Sequence, residues 1–270
     1  MNDSETIKIT VATVTWNAAP VLRRTLHSVA EQDYPNVQHV IVDGCSSDDT
    51  LTLLRQYQEK ESHEGALRHD IQVLSETDKG LYDAMNKALL LAEGDYIIFL
   101  NAGDKFHDPH VLTRVAAAAK EGKPAVIYGD TDIVDDAGTF LRLRHLRPPL
   151  HLDWKSFRHG MLVCHQAFFA RTDIARNAPY NLRYRFSADY DWCIRILKRS
   201  HVLGLPTKNL GIVVADYLDG GMTTKNHRRS LMERLRIMAK HYGWTTTLAM
   251  HTSFVFRAAR RTVARAKSRG

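Results

Sequence analysis

Two polar stretches near the middle of the chain carry residue types that bind hydroxyl groups, phosphates and cations. The first runs from Ser75 to Lys87 and is rich in acidic and amide side chains. The second, Asn101-Ala102-Gly103-Asp104, directly follows a short apolar run, Tyr96–Leu100. Ligands of open α/β sheets bind outside the carboxyl ends of the strands. The sequence therefore predicts that both stretches border one polar crevice at the edge of a sheet.

The second half of the chain adds polar groups that are suited to contact a ligand. They fall in three places: His165-Gln166 before an apolar run, Asp189 and Asp191 near a predicted helix start, and Gly220-Gly221 followed by Thr223-Thr224. Each has a structural alternative. A histidine beside a strand is more often structural than catalytic, and acids in the first turn of a helix favour its dipole. The glycines and hydroxyls predict either a phosphate-binding loop or an ordinary turn.

The elements that must position these groups alternate between apolar strands and amphipathic helices. Predicted strands are Ile7–Thr15, Val37–Val42, Ile71–Ser75 and Tyr96–Leu100, with helices beginning near Pro20, Leu51 and Tyr82 between them. This order is typical of βαβ units and predicts an α/β fold with a mainly parallel central sheet flanked by helices. Later segments predict a smaller antiparallel element and further elements: the hairpin Ala125–Val134 with Thr139–Leu146, a strand Gln166–Ala170, a helix Tyr190–Ser200 and a strand Gly211–Asp216.

Length and composition narrow the class of protein. A chain of 270 residues that is 44% hydrophobic can bury a substantial core as one large domain. The three cysteines, Cys45, Cys164 and Cys193, are scattered and lack a CxxC spacing, which argues against a disulfide framework or a thiolate zinc site. The apolar runs are too short to span a bilayer and no signal-like segment follows Met1. We therefore expect a cytoplasmic protein.

The net charge of +7 is unevenly distributed. Residues 225–270 hold 12 Lys and Arg and one acid, Glu233, so this region carries the basic surplus. Between Leu248 and Lys267, apolar and basic residues fall on opposite sides of a helix, which predicts either an anionic-membrane contact or a solvated helix packed on the domain. No aromatic interleaving supports nucleic-acid binding. We expect a catalytic domain over 1–224 and a basic, amphipathic, helical C-terminal region over 225–270.

Several ordered stretches together resemble family 2 glycosyltransferases of the Rossmann-like GT-A fold, of the kind that builds bacterial surface polysaccharides. The stretches are Thr13-Val14-Thr15-Trp16-Asn17, Ile41-Val42-Asp43-Gly44, Ser75–Lys87, Phe99–Asp104, His165-Gln166, Ser187–Asp191 and Gly220-Gly221-Met222-Thr223. Each is weak alone, but their order over Ile9 to about Thr224 is distinctive. The resemblance implies transfer of a sugar from a nucleoside diphosphate to a hydroxyl of a glycan or lipid-linked saccharide, on the inner face of the cytoplasmic membrane.

The resemblance also implies a set of residues that contact the nucleotide sugar. These are Thr13, Asn17, Asp43, Asp78, Lys79, Gly80, Asp83, Asn86 and Asn101, while His165, Gln166, Gly221 and Thr223 contact the acceptor or the phosphates. Alternatives exist for several of them. Asp43 is able to satisfy donors in the turn that follows it, and Asn17 is able to start a helix. Asp83 and Asn86 share one face of a helix and are also suited to a solvated surface.

The resemblance further implies a divalent cation, Mn²⁺ or Mg²⁺, held near Asp104. Related enzymes carry an Asp-x-Asp type motif here, and oxygen ligands suit both ions. This sequence departs from that motif, because Asn101 replaces the first carboxylate and Gly103 occupies another position. Asp104 is the remaining charged ligand, with His165 or His227 as helpers. The departure leaves open an alternative function as a catalytically inactive glycan-binding or membrane scaffold protein.

Proton abstraction is assigned by resemblance to Asp189, with Asp191 in reserve. An inverting transfer needs one carboxylate to take the proton of the attacking hydroxyl. The family places this aspartate after a glutamate, and the chain has Ala188 at that position. We expect Asp189 to lie across the crevice from Asp104.

Overall fold

The computed structural model describes residues 6–63, 69–220, 226–252 and 254. Its strands are β1 (Ile9–Thr15), β2 (Val37–Asp43), β3 (Asp70–Ser75), β4 (Tyr96–Phe99), β5 (Lys105–Phe106), β6 (Val126–Val134), β7 (Phe140–Leu143), β8 (Phe168–Arg171) and β9 (Thr207–Leu218). Its helices are α1 (Ala19–Ala30), α2 (Thr50–His63), α3 (Leu81–Leu91), α4 (Val111–Lys120), α5 (Thr172–Arg176), α6 (Ala188–Val202) and α7 (His227–Tyr242). Two short 3₁₀ turns, Ser156–His159 and His165–Ala167, complete the described elements, and residues 244–252 are also helical.

The first half of the chain forms the parallel part of one curled mixed sheet. The strand order is β3-β2-β1-β4-β8-β6-β9-β5, with β7 paired to β6. β1 pairs in parallel with β2 and β4, and every residue of β1 is buried. Strands that are covered on both faces need apolar, β-branched residues, and Ile9–Thr15 supplies them. The predicted α/β fold is confirmed.

The second half of the sheet is largely antiparallel. β8 pairs antiparallel with both β4 and β6, and β6 forms the expected hairpin with β7. β9 is longer than the predicted strand and runs parallel to β6. The expected strand at Gln166 begins only at Phe168, because His165–Ala167 forms a 3₁₀ turn. This turn redirects the chain so that His165 and Gln166 precede the strand as loop residues.

The C-terminal helix α7 is part of the main fold. Ile237 and Met238 are fully buried in the same apolar cluster as β1 and β4. The carboxylate of Glu233 accepts hydrogen bonds from the backbone N–H groups of Arg185 and Phe186. Within the described residues, the segments on the two sides of the boundary expected at 224/225 therefore pack together in one core.

Among the described residues, every helix is too short or too polar to span a bilayer. Most of the helix predicted from Leu248 to Lys267 lies outside the described residues, so its two faces stay a sequence-based prediction.

Candidate active site

A cleft of about 990 Å³ opens where several parallel strands end. Trp16 follows β1, Asp78 follows β3 and Asn101 follows β4, and all three line the cleft. Arg234 of α7 also lines the cleft, together with other C-terminal residues. The two polar stretches found in the sequence therefore do border one crevice. Its volume falls in the range that holds a small ligand of cofactor size.

Asp189 stands in the first turn of α6 and lines the cleft. Its side chain keeps 21% of its surface exposed. Tyr82 donates its hydroxyl to Oδ1 at 3.1 Å, and Nδ1 of His165 lies 3.4 Å from Oδ2. Burial opposes ionisation of this carboxyl, but the hydrogen bond and charge of His165 and the charge of Arg234 outweigh it and lower the pKa of Asp189. The group is therefore an oriented carboxylate at neutral pH.

His165 connects Asp189 to Asn101. Its Nε2 lies 3.2 Å from Nδ2 of Asn101, which can only donate. The His165 ring therefore lies between the amide of Asn101 and the carboxylate of Asp189. The Oδ1 atom of Asn101 is buried and has no hydrogen-bond partner in the described part of the chain. Asn101 thus contacts the histidine that pairs with Asp189.

Asp104 also lines the cleft and is nearly fully buried. Its Oδ2 accepts from Nε2 of Gln166 at 2.9 Å, and its Oδ1 accepts from the backbone N–H of Leu218 at 3.1 Å. Burial raises the pKa of Asp104 to about 6, against the effect of these two hydrogen bonds. Asp104 and Asp189 thus line the same cleft.

The potential metal-ligand atoms at and around Asp104 do not form a preformed Mg²⁺ or Mn²⁺ site. Such ions are held by one or two carboxylates with free oxygen atoms, and waters and substrate phosphates complete the shell. Both oxygens of Asp104 already accept hydrogen bonds, and Asn101 offers a neutral oxygen. Gly103 has φ +100°, and a Cβ there would lie 2.9 Å from the Leu218 side chain, so an aspartate does not fit this position without a shift. The expected metal at Asp104 is not supported by this geometry.

A different cluster in the described residues has ligand-type spacing. Atoms of His107, Asp132 and Asp216 lie within 4.8 Å of one another. None of the three lines the cleft, and Lys105 and His107 already pair with the Asp216 carboxylate. The neighbouring residue of β6, Ile133, does line the cleft, so Asp132 points to the opposite face of the strand.

The end of β3 supplies the other polar wall of the cleft. Asp78 is half-buried, and its Oδ1 accepts the backbone N–H of Gly80 at 2.7 Å. Gly80, with φ +115°, forms the N-cap of α3. A Cβ at Gly44 would lie 2.6 Å from Oδ2 of Asp78. The absence of a side chain at position 44 therefore leaves room for that carboxylate. Trp16 stands beside this group with 68% of its surface exposed.

Two predicted nucleotide residues are buried behind the cleft. Thr13 donates its hydroxyl to the carbonyl of Leu100 and also contacts Nε2 of His39, which ties β1 to its neighbours. Asp43 accepts hydrogen bonds from the N–H and hydroxyl of Ser46 and from the hydroxyl of Ser75. Neither residue lines the cleft. This geometry matches the alternative role of Asp43, which is to accept hydrogen bonds from donors in the turn that follows β2.

Four further predicted residues also lie outside the cleft lining. Asn17, with φ 47°, accepts from the backbone N–H of Ser47 and joins the turns after β1 and β2. The N–H of Lys79 donates to Asp83, which caps the start of α3. The amide of Asn86 exchanges two hydrogen bonds with the backbone of Tyr180. Nucleotide contact by these residues stays a prediction from resemblance.

Asp191 is fully buried and faces away from the cleft. Nε of Arg195 lies 2.7 Å from its Oδ2, and Nε2 of His241 lies 2.8 Å from its Oδ1. Burial disfavours its charge, but these hydrogen bonds outweigh that effect and bring its pKa to about 2. Asp191 therefore joins α6 to α7, and the geometry does not support its reserve role as base. Gly221 and Thr223 lie outside the described residues.

Several residues of the cleft were not found by the sequence analysis. Tyr82, Arg144 and Arg234 line it, and Tyr82 contacts the candidate base directly. Tyr82 was identified only as the start of a predicted helix, and its hydroxyl was the overlooked signal. No spacing rule connects the two arginines with the acids, because they come from distant parts of the chain.

Comparison with known proteins agrees with this architecture. The model of the family described as "Glycosyl transferase family 2" matches residues 10–177. The PGL/p-HBAD biosynthesis glycosyltransferase of Mycobacterium bovis is 34% identical over 226 residues, which cover 82% of this chain and 81% of the relative.

Solved structures show the same fold at lower identity. S. aureus TarS 1–349 in complex with UDP-GlcNAc superposes with a TM-score of 0.66 at 18% identity, over 92% of this chain and 73% of that one. The mannosyltransferase PcManGT from Pyrobaculum calidifontis, in complex with GDP-Man and Mn²⁺, gives a TM-score of 0.58 at 17% identity, over 98% and 81% of the two chains. The chain belongs to glycosyl transferase family 2 and is a glycosyltransferase of the GT-A fold.

Proposed function

We propose that the protein transfers a sugar from a nucleoside diphosphate sugar to a hydroxyl group, with inversion, and that Asp189 is the general base. The observation that carries the proposal is the environment of Asp189. It is an ionised carboxylate on the cleft wall, held by Tyr82 and His165 and left partly open to a ligand. A base that is fixed before the substrate arrives loses little entropy during the reaction.

The proposed step conserves atoms and charge. The acceptor oxygen forms a bond to the anomeric carbon as its proton passes to the Asp189 carboxylate. The bond between the anomeric carbon and the diphosphate oxygen breaks on the opposite side, and the electron pair leaves with the nucleoside diphosphate. Attack from the face opposite the leaving group inverts the anomeric centre.

The donor base and ribose are proposed to lie beside Trp16 and Asp78. An exposed indole offers an apolar face for a planar base, and a carboxylate accepts hydrogen bonds from ribose hydroxyls or a base N–H. Both residues line the cleft at the ends of parallel strands, where α/β folds bind nucleotides. The structural relatives are described with UDP-GlcNAc and GDP-Man, which supports a nucleotide sugar as donor.

The acceptor is proposed to be a glycan or lipid-linked saccharide in surface-glycan biosynthesis. The name of the mycobacterial relative, which refers to PGL/p-HBAD biosynthesis, supports this class. His165 and Gln166 line the cleft next to Asp189 and Asp104, which supports a role for them at the acceptor.

The test is Asp189→Asn, which keeps the shape of the side chain and removes the proton acceptor. Transfer, and the slow hydrolysis of the sugar nucleotide by water, should fall by about two to four orders of magnitude. Donor affinity, measured by calorimetry, should change little. The control is Asp191→Asn, whose carboxylate lies outside the cleft and whose turnover per folded molecule should be retained.

Two results would count against the proposal. Retained turnover in Asp189→Asn would show that Asp189 is not the general base. A wild-type protein that binds sugar nucleotides but neither transfers nor hydrolyses them would instead be the inactive glycan-binding or scaffold protein of the alternative hypothesis.

A further inference from the structure

Two arginines from separate elements face the cleft that holds Asp104 and Asp189. Arg144 directly follows β7, and Arg234 lies in the middle of α7. The same cleft is lined by Asn101, where the expected motif would have a carboxylate. The missing carboxylate and the two guanidinium groups both favour binding of an anion in this cleft.

Arg144 is held firmly in place. Its guanidinium donates to the carbonyl of Met161 at 2.8 Å and to that of Leu162 at 3.4 Å. Burial raises the pKa of the nearby Cys164 thiol, the charge of Arg144 opposes that rise, and the charges of Asp104 and Asp189 add to it. Arg144 therefore lies among the polar groups of the cleft, with its orientation fixed by backbone carbonyls.

Arg234 has an unsatisfied donor. Its Nε atom is buried and has no hydrogen-bond partner in the part of the chain that the structure describes. Its charge helps to lower the pKa of Asp189, so the two side chains act on the same region of the cleft. Buried donors without partners are uncommon and cost free energy, which a bound anion would recover.

A nucleoside diphosphate presents the anion that matches such groups. A guanidinium binds phosphate oxygens through two parallel hydrogen bonds, and it keeps its charge at all relevant pH values. Positive groups at the leaving diphosphate stabilise the negative charge that grows there as the bond to the sugar breaks. A divalent cation performs this role where carboxylates hold it, and the donor set at Asp104 does not provide such a site.

We propose that Arg144 and Arg234 bind the diphosphate of the donor and neutralise the leaving group, so that the reaction does not require a divalent cation. The proposal rests on the proposed transferase function. As the bond between the anomeric carbon and the diphosphate oxygen breaks, its electron pair stays on that oxygen, next to the guanidinium groups. The acceptor proton still passes to Asp189.

Binding of the product alone tests the proposal without relying on turnover. For each of the two nucleotides, UDP and GDP, the affinity measured by calorimetry should be the same in excess EDTA as in the presence of Mn²⁺. Arg234→Gln and Arg144→Gln should each weaken binding by about tenfold to a hundredfold, since hydrogen bonds to charged groups have that worth. Arg234→Lys should retain part of the affinity, because it keeps the charge and loses the fork of donors. The control Arg236→Gln, at an exposed position two residues further along α7, should bind as wild type.

Turnover completes the test. Sugar-nucleotide hydrolysis in EDTA should equal that in Mn²⁺ and should fall in Arg234→Gln by at least the factor lost in binding. Loss of both binding and turnover in EDTA, with recovery in Mn²⁺, would overturn the proposal, as would wild-type affinity in both glutamine variants. EDTA-resistant binding that depends on the arginines, in a protein without turnover, would support the diphosphate site and contradict the transferase function separately.

Discussion

At the scale of single residues, the environment of each carboxylate decides which chemistry it is able to do. Asp189 and Asp104 line the same cleft, yet their pKa values move in opposite directions. A hydrogen bond from His165 and the charge of Arg234 favour the ionised form of Asp189 and lower its pKa. Asp104 receives two neutral hydrogen bonds, which do not compensate its burial. Asp189 is therefore suited to accept a proton, whereas Asp104 is suited to hold Gln166 and the end of β9 in position.

We predict that the stability of the Asp104→Asn variant increases relative to that of the wild-type protein as the pH rises. Because the pKa of Asp104 is raised to about 6, its stabilising contribution is present below about pH 4 and is lost as the pH rises through 6. The variant has no such loss. Its unfolding free energy should gain about 2–3 kcal/mol relative to wild type between pH 4 and pH 8. Urea unfolding at both pH values measures this difference.

The surrounding amides are arranged to accept this substitution. Oε1 of Gln166 is buried and lacks a partner among the described residues, so a rotated Gln166 amide is able to accept from the new side-chain NH₂ group. The carbonyl oxygen of the substituted side chain still accepts from the backbone N–H of Leu218. UDP affinity of the variant should be unchanged in EDTA and in Mn²⁺. A Mn²⁺-dependent affinity that disappears in Asp104→Asn would instead show that Asp104 is a metal ligand.

At the scale of elements, the sequence predicted where the site lies better than which side chains enter it. Alternating apolar strands and amphipathic helices identified β1 to β4, and the ligand edge followed from their order. Orientation within a helix was harder to predict. Asp189 and Asp191 are two positions apart on α6, about 200° around its axis, so they face different surroundings. The partners that decide between them, Tyr82 and His241, are far away in the sequence, and no local pattern connects them.

Other errors arose where long-range packing determines local structure. The strand predicted at Gln166 starts at Phe168, because Gln166 turns to donate to Asp104 before the strand begins. Asn86 has the spacing of a solvated helix face, but the backbone of Tyr180 folds over it and takes both of its amide groups. In both cases a polar side chain is satisfied by a backbone or carboxylate distant in the sequence, which periodicity does not report.

We predict that Asp191→Asn weakens the contact between α6 and α7. The pKa of Asp191 is lowered to about 2, so its stabilising contribution is present above about pH 4 and is lost as the pH falls towards 2. The variant should lose about 3 kcal/mol of unfolding free energy at pH 7, and the difference should shrink towards pH 3. Urea unfolding at the two pH values measures it.

A surface acid provides the comparison for this prediction. Asp173 pairs with Arg171 at an exposed position, so Asp173→Asn should change stability by less than about 1 kcal/mol. Equal effects of the two substitutions at pH 7 would mean that the buried network around Asp191 does not join the helices.

At the scale of the whole molecule, described residues on both sides of the boundary expected at 224/225 pack into one core. α7 brings Ile237 and Met238 into the main core and Arg234 into the cleft. Beyond this helix, His251 and Phe254 also line the cleft. The C-terminal region thus has two parts with separate roles: one that completes the fold and cleft, and residues 255–270, which contain six Lys and Arg and no acid.

This division gives the last prediction, in which two shortened chains separate folding from membrane contact. A chain that ends at residue 224 should not fold, because it lacks Ile237, Met238 and the Glu233 contacts. A chain that ends at Phe254 should unfold at the same urea concentration as the full chain and bind UDP equally well. It should, however, lose retention on vesicles with anionic lipids, because each basic residue near such a surface contributes about 1 kcal/mol. Co-sedimentation with anionic and with neutral vesicles, at low and high salt, measures this, since screening weakens electrostatic contact. Equal retention of both chains on anionic vesicles would place the membrane contact outside 255–270, and no retention of the full chain would exclude it under these conditions.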